Sequence, residues 1–171
     1  MAGVQIIGDF KRLKRVIRKL DLSSSELTAV NRQIGQVIKE GTIERFQSEK
    51  SPEGEKWVLL AESTLIARAR KRSNKLKTKK GEYTKRARTI MANAKPLKDT
   101  GKLMSSLSVK ANKQGVAVGT NAVQAGLMQM GGMAGRGRKV KVPARPFLGM
   151  SDEEKQDIQN LLIDFIEEKI K

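Results

Sequence analysis

The stretch Val142-Pro-Ala-Arg-Pro-Phe-Leu-Gly-Met-Ser151 leads from a short apolar strand into the C-terminal part of the chain, and its residue types decide how that part folds. Pro143 and Pro146 stiffen the backbone because the proline ring fixes φ. Arg145 supplies a planar fork of hydrogen-bond donors. Phe147 is an apolar side chain placed to bury the start of a following helix. The stretch therefore predicts a stiff connection between the strand and the last helix.

A C-terminal helix is predicted directly after this stretch. Ser151-Asp-Glu-Glu154 fits a capping box, and its acids lie in the first turn, where the helix dipole favours negative charge. The apolar residues that follow share one helical face: Ile158, Leu161, Leu162, Phe165, Ile166 and Ile170. Segment 151–171 carries seven acids against three lysines, a net charge of −4, and it is the one acidic part of the chain.

Strands are predicted before the stretch. Residues 106–111 and 115–119 have the pattern of two strands around the turn Asn112-Lys-Gln-Gly115. Residues 140–142 form another short strand. These elements predict a small, mostly antiparallel sheet between about residues 104 and 142.

Helices and loops complete the predicted fold. Ser23-Ser-Ser-Glu26 is a second capping box, and a long helix should run from it to about residue 48. We also expect an amphipathic helix at 9–21, a short helix at 121–130 and a flexible basic loop at 131–138. The fold class is α+β: N-terminal helices, a small mostly antiparallel sheet and a C-terminal helix packed on it. Residues 1–171 are expected to form a single domain.

Composition excludes several classes of function. The chain has no cysteine and no histidine, which removes disulfides, thiolate and imidazole metal ligands, and the nucleophiles and proton shuttles built from them. The N-terminus lacks the pattern of a signal peptide, and no run approaches about 18 apolar residues. We therefore expect no catalytic residue, cofactor, metal or membrane contact, and a soluble protein that is cytoplasmic where it is made.

The net charge of +17 is concentrated in one segment. Residues 68–98 contain thirteen Lys or Arg and one acid, Glu82, so their net charge is +12. Apolar residues are sparse there, and we expect a basic, mobile arm, helical on either side of Gly81. It could contact nucleic acid or another polyanion, dock on an acidic protein, or serve solubility alone. The candidate polyanion contacts are Lys75, Lys77, Lys79, Lys80, Lys85, Arg86 and Arg88.

Two further features of the sequence are an Asp-Thr-Gly tripeptide and a single tryptophan. Asp99-Thr-Gly101 is the tripeptide of retroviral-type aspartic proteases. Here it lies between Lys98 and Lys102 without the apolar strand that such an aspartate needs, so we interpret it as a turn or helix cap. Trp57 follows the turn Ser51-Pro-Glu-Gly54, and we expect it to anchor the core or to enter a pocket of a partner.

Three regions together resemble the phage virion-morphogenesis family, which includes the Mu-type and related tail-completion proteins. They are Arg45-Phe-Gln-Ser-Glu-Lys-Ser-Pro-Glu-Gly-Glu-Lys-Trp-Val-Leu-Leu60; Pro96-Leu-Lys-Asp-Thr-Gly-Lys-Leu-Met-Ser-Ser-Leu107; and Val118-Gly-Thr-Asn121 with Gln129-Met-Gly-Gly132, followed by Val142 to Ser151. The motif residues on which fold and interface are expected to depend are Trp57, Leu97, Asp99, Thr100, Gly101, Pro143, Arg145, Pro146 and Phe147.

The resemblance implies a structural protein of the virion that completes the tail or joins it to the head at the neck. It implies a homo-oligomeric ring, neck, tail or head proteins as partners, contact with packaged DNA, and assembly in the host cytoplasm. A non-specific nucleic-acid-binding protein of nucleoid or ribosomal type is the alternative. The charge of 68–98 favours that alternative, whereas the acidic last helix does not.

Overall fold

In the computed structural model, which describes residues 2–3 and 22–170, helices pack against two small antiparallel sheets. This is the predicted α+β class. The amphipathic helix expected at 9–21 lies outside the described residues. None of the described helices is both long enough and apolar enough to cross a bilayer.

The long helix α1 (Ser24–Ser48) begins and ends where the sequence predicts. The Ser23 hydroxyl accepts a hydrogen bond from the Glu26 backbone N–H at 3.3 Å, and the Glu26 carboxylate accepts one from the Ser23 N–H at 2.9 Å. These two bonds form the predicted capping box. The helix stops because Glu49 turns into the left-handed region at φ 59°, where its N–H still donates to the Arg45 carbonyl.

The first sheet contains the predicted hairpin. Strands β2 (Leu107–Asn112) and β3 (Gly115–Thr120) pair antiparallel, and β1 (Ala2–Gly3) pairs with the other edge of β3. Helix α1 lies directly on this sheet. A side chain at Gly35 would collide with Val109, so glycine permits the close approach of helix and sheet.

The C-terminal helix α6 (Asp152–Ile170) packs against α1 through its predicted apolar face. Ile158 and Leu162 are buried and Leu161, Phe165 and Ile166 are half-buried. Ile170, which the sequence groups with this face, is 67% exposed. In the last turn of this helix, Lys169 forms an ion pair with Glu26 at the start of α1. The core on this side is formed by Val30, Ile34, Ile38, Val118, Ile158 and Leu162.

Part of the flexible loop predicted at 131–138 is a strand of the second sheet. Strand β4 (Gly132–Ala134) pairs with the predicted strand β5 (Val140–Val142), and a 3-10 turn (Arg136–Arg138) joins them. The glycine-rich stretch read as flexible therefore includes a strand. Gly131 at φ 71° and Gly135 at φ 78° supply the left-handed backbone at the two ends of β4.

The short helix expected at 121–130 is shorter in the structure. Helix α5 spans only Ala125–Met130, because the Thr120 hydroxyl accepts the Ala122 N–H at 3.1 Å and holds the preceding residues in a turn. A second cluster of buried apolar residues lies between α1, α5 and the stretch after β5. Its members are Phe46, Trp57, Leu103, Leu107, Ala125, Phe147 and Leu148.

The basic segment forms one helix on each side of Gly81, as expected. Helices α2 (Glu62–Arg72) and α3 (Lys85–Ala92) pack against each other, with Gly81 at φ 83° in the turn between them. Ala69 and Ala87 are fully buried in this helix pair. The mobility of the segment in the isolated chain stays a prediction. The short helix α4 (Lys102–Ser105) leads from the segment into β2.

Candidate assembly site: a buried clamp

The stretch 142–151 is held by five polar side chains, of which four are buried and one, Gln129, is half-buried. We call this group the clamp: Arg45, Trp57, Gln129, Arg145 and Glu154. Its members come from α1, the loop after α1, α5, the stretch itself and α6. The clamp therefore joins both hydrophobic clusters of the molecule.

Arg45 is the central residue of the clamp. It lies in the last turn of α1, and its Nη1 donates to both carboxylate oxygens of Glu154 at 2.9 Å. Its Nε donates to the Phe147 carbonyl at 3.1 Å, and its Nη2 donates to the Gly149 carbonyl at 2.9 Å. Both members of this ion pair are buried. The guanidinium of Arg45 thus binds α1 to α6 and to the residues that directly precede α6.

Glu154 has a second task at the start of α6. Its carboxylate accepts the Ser151 backbone N–H at 2.6 Å, and the Ser151 hydroxyl accepts the Glu154 N–H at 3.2 Å. This is the capping box predicted for the C-terminal helix. The same carboxylate therefore caps α6 and neutralises Arg45. Any side chain at Gly41 would overlap Glu154, so α1 carries glycine where the carboxylate approaches.

Gln129 holds the middle of the stretch from α5. Its Oε1 accepts the backbone N–H groups of Phe147 and Leu148 at 3.0 Å each, and its Nε2 donates to the Leu148 carbonyl at 2.8 Å. One amide side chain thus satisfies three backbone groups that have no partner in a sheet or helix.

Replacing Gln129 by leucine removes all three hydrogen bonds while keeping a similar volume. We expect the free energy of unfolding to fall by about 2–4 kcal/mol, since each buried backbone group left without a partner is costly. Urea unfolding followed by circular dichroism measures this. The matched control is Gln156→Leu, at an exposed position of α6. Equal effects of the two replacements would contradict the role assigned to Gln129.

Trp57 and Phe147 form the apolar part of the site. The Trp57 ring lies edge-on to the Phe46 ring at a centroid distance of 5.8 Å, and the Phe147 ring lies 5.4 Å from the Phe46 ring. The indole Nε1 donates to the Pro146 carbonyl at 2.9 Å. Of the two expectations for Trp57, the structure therefore places it in the core of its own chain and not at the surface.

Arg145 reaches in the opposite direction from Arg45. Its Nε donates to the Val58 carbonyl at 2.8 Å and its Nη2 to the Leu59 carbonyl at 3.0 Å, so it holds the extended segment before α2. Burial lowers the pKa of the Arg145 guanidinium, and the positive charge of Arg68 lowers it further. Pro143 and Pro146, on either side of Arg145, are half-buried.

The Asp99-Thr-Gly101 tripeptide forms the turn before α4, as interpreted from the sequence. Gly101 is left-handed at φ 77°, and the Thr100 hydroxyl accepts the Lys102 N–H at 3.5 Å. The Asp99 carboxylate binds no backbone N–H among the described residues and instead contacts the guanidinium of Arg72 at 2.7 Å. Leu97, before the tripeptide, is left-handed at φ 56° and packs against the second apolar cluster.

The seven candidate polyanion residues do not converge on the clamp. All seven are exposed on α3 and on the turn between α2 and α3. None of them forms an ion pair within residues 2–3 and 22–170, and Lys77 lies over the Tyr83 ring at 5.4 Å. They form a basic surface attached to the body through Arg68, whose Nη1 donates to the carbonyls of Lys95 and Lys98.

The hydrogen bonds of the clamp hold parts of the chain in position. Its polar atoms bind backbone groups or each other, and no buried side-chain nitrogen or oxygen in the described part of the chain lacks a partner. The described residues also contain no cluster of carboxylates that could hold a metal ion. Sequence reasoning did not single out Arg45, Gln129 or Glu154 as site residues. Arg45 and Glu154 are 109 positions apart, and nothing local in the sequence signals their pairing.

Comparison with known proteins agrees with the resemblance found in the sequence. Residues 8–167 match the model of the phage virion morphogenesis family. Over 76 residues, 44% of this chain, the chain is 45% identical to the Mu-like prophage FluMu G protein 2 of Haemophilus influenzae. That match spans 55% of the relative, so the chain covers about half of its length. No solved structure matches the chain. Since the family match includes the whole clamp and nearly all of the chain, this protein belongs to the phage virion morphogenesis family.

Proposed function

We propose that this chain is a non-enzymatic structural protein that completes the tail and joins it to the head, acting in the neck as a homo-oligomeric ring. Membership of a family of virion morphogenesis supports this role. The observation that carries the proposal is the clamp, whose buried polar groups all bind backbone groups or other side chains of the same chain. A chain built in this way presents rigid surfaces, and specificity then depends on those surfaces. Its partners are neck, tail or head proteins, and it assembles with them in the host cytoplasm.

A nonsense codon early in the gene, in the phage or prophage that encodes the chain, tests the proposed role. We expect lysates that contain DNA-filled heads and separate tails, with infectious particles reduced to background. Electron microscopy of the lysate measures this, and the wild-type gene supplied in trans should restore joined particles. Normal virions in the absence of the chain would overturn the proposal.

The basic surface favours a second candidate, non-specific binding of nucleic acid. Its cations are exposed, and the segment 68–98 carries a net charge of +12. Such a surface binds DNA mainly by releasing counterions, without reading the sequence. In a neck this surface would meet the packaged DNA, whereas in a nucleoid-type protein the DNA contact would be the whole function.

Replacing Lys75, Lys77, Lys79 and Lys80 by glutamine separates these possibilities. We expect the affinity for duplex DNA to fall, and the log–log salt slope to decrease by about 0.9 for each phosphate that is no longer neutralised. Fluorescence anisotropy at several salt concentrations measures both, and virion yield is measured in parallel. The control replaces four exposed lysines elsewhere by glutamine: Lys50, Lys56, Lys110 and Lys113.

The outcomes of that comparison assign different roles to the basic surface. Lower yield with unchanged DNA affinity would identify an acidic protein as the partner of the basic surface. Lower affinity with unchanged yield would favour DNA binding outside the virion. Unchanged yield and unchanged affinity would leave the surface with a role in solubility alone.

A further inference from the structure

An apolar groove of about 500 Å³ lies beside the clamp. One wall is the extended segment that precedes α2, and the other is β5 with the residue that follows it. Leu59 on the first wall is 76% exposed, and Val140 on the second wall is 58% exposed. Exposed apolar side chains on facing walls of a groove are typical of a surface that another protein covers.

The charge of this groove is one-sided. Its charged lining residues are Arg68, Lys102, Lys141, Arg145 and one acid, Asp99, so four positive charges minus one negative charge leave +3. Arg145 is 5% exposed and, unlike Arg45, it has no carboxylate partner among residues 2–3 and 22–170. A buried guanidinium beside a second one, bound only to carbonyl groups, favours a ligand that brings a carboxylate.

The chain itself carries a surface of the matching kind. The inner face of α6 is buried against α1. On the outer face, Ile163, Glu167 and Ile170 follow one another at i, i+4 and i+7, so they form one stripe. Ile163 is 51% exposed. The helix from Asp152 to Ile170 contains seven acids and two lysines, a net charge of −5.

We propose that the groove of one copy binds the outer face of α6 from a second copy. The isoleucines of the stripe enter the apolar groove, and the carboxylates beside them meet Lys102, Lys141 and Arg145. DNA would also neutralise the cations, but its phosphates would leave Leu59 and Val140 uncovered. Because groove and helix are different surfaces, each copy uses both, and such head-to-tail contacts close into a ring when the rotation between neighbouring copies divides a full turn. The inference rests on the ring assembly in the proposed function and names the surfaces that build it.

Charge reversal on each surface tests the pairing in the purified full-length chain. One variant carries Lys102→Glu and Lys141→Glu in the groove, and the other carries Asp164→Lys and Glu167→Lys on the helix. All four side chains are exposed, so both variants should keep the melting temperature of the wild type. Sedimentation velocity over a range of concentrations should show self-association of the wild type. The dissociation constant of each variant alone should rise about tenfold or more.

Mixing the two variants is the decisive measurement. In an equimolar mixture the acidic groove of one variant faces the basic helix of the other, so association should return. The control carries Lys110→Glu and Lys113→Glu, two exposed positions outside the groove, and should associate like the wild type. A monomeric wild type, variants that associate normally, an equal loss in the control, or a mixture that stays dissociated would each overturn the proposal. Loss of DNA binding by the groove variant with unchanged association would assign the groove to a polyanion instead.

This experiment is independent of the nonsense-codon experiment. A chain that is monomeric when pure, but whose absence leaves heads and tails unjoined, would overturn the interface and leave the proposed function in place. Self-association through the groove, together with normal virions in the absence of the chain, would support the interface and overturn the proposed function.

Discussion

Replacing Arg45 by alanine is expected to lower the free energy of unfolding by about 3–5 kcal/mol, because it leaves the Glu154 carboxylate buried without its counter-charge. The same change also removes the donors to the Phe147 and Gly149 carbonyls. Helix α1 would then have lost the hydrogen bonds through which Arg45 holds α6 and the residues before it. Urea unfolding followed by circular dichroism and by the fluorescence of Trp57 measures the loss.

Two control variants show whether this loss comes from the buried ion pair. Asp152 and Lys155 form an exposed ion pair on α6, and alanine at Asp152 should lower the free energy of unfolding far less than alanine at Arg45. A double variant with Arg45→Met and Glu154→Leu should be more stable than either single variant, since it leaves no unpaired buried charge. If Arg45→Ala cost no more than Asp152→Ala, the structural role of the buried pair would be refuted.

Ending the chain at Gly149 should leave an aggregated product without a cooperative unfolding transition. The truncation removes α6, and with it the buried side chains of Ile158 and Leu162. Each is worth roughly 1.5–3 kcal/mol by the apolar area that it buries. It also removes Glu154 and so leaves Arg45 unpaired. The summed loss is comparable with the whole stability of a domain.

A shorter truncation provides the control. Ending the chain at Glu167 removes only the exposed end of α6 and the surface ion pair of Lys169 with Glu26. That variant should remain soluble and melt within a few degrees of the full chain. Solubility and calorimetry measure both truncations. A soluble Gly149 truncation with a cooperative melt would show that α6 is dispensable for the fold.

Local features were predictable because neighbouring residues create them. The capping boxes at Ser23 and Ser151 have the expected hydrogen bonds, and the hairpin strands are within a residue of their predicted bounds. A cap is completed by residues three positions apart, and a tight turn by four consecutive residues. Both signals can therefore be read directly in the chain.

Errors occurred where an element depends on a distant or missing partner. Strand β4 was read as loop because its glycines look flexible until β5 supplies hydrogen bonds. Ile170 was grouped with the apolar face of α6 because it continues the apolar period, yet its side chain is exposed. Periodicity shows which residues share a face, but it does not show where the neighbouring element ends. At the last turn of α6 the structure shows an ion pair of Lys169 with Glu26, which lies in the first turn of α1.

By itself, the sequence determined the α+β class, the caps, the hairpin, the concentration of positive charge in 68–98 and the resemblance to a virion-morphogenesis family. Only the tertiary structure decided that Arg45 pairs with Glu154, that Gln129 holds the backbone at Phe147 and that Arg145 lies in a groove without a carboxylate partner among the described residues. The reason is physical. Caps and turns are closed by adjacent residues, whereas the contacts of the clamp join residues from 18 to 109 positions apart. These residues meet only when two hydrophobic clusters bring α1, α5 and α6 together.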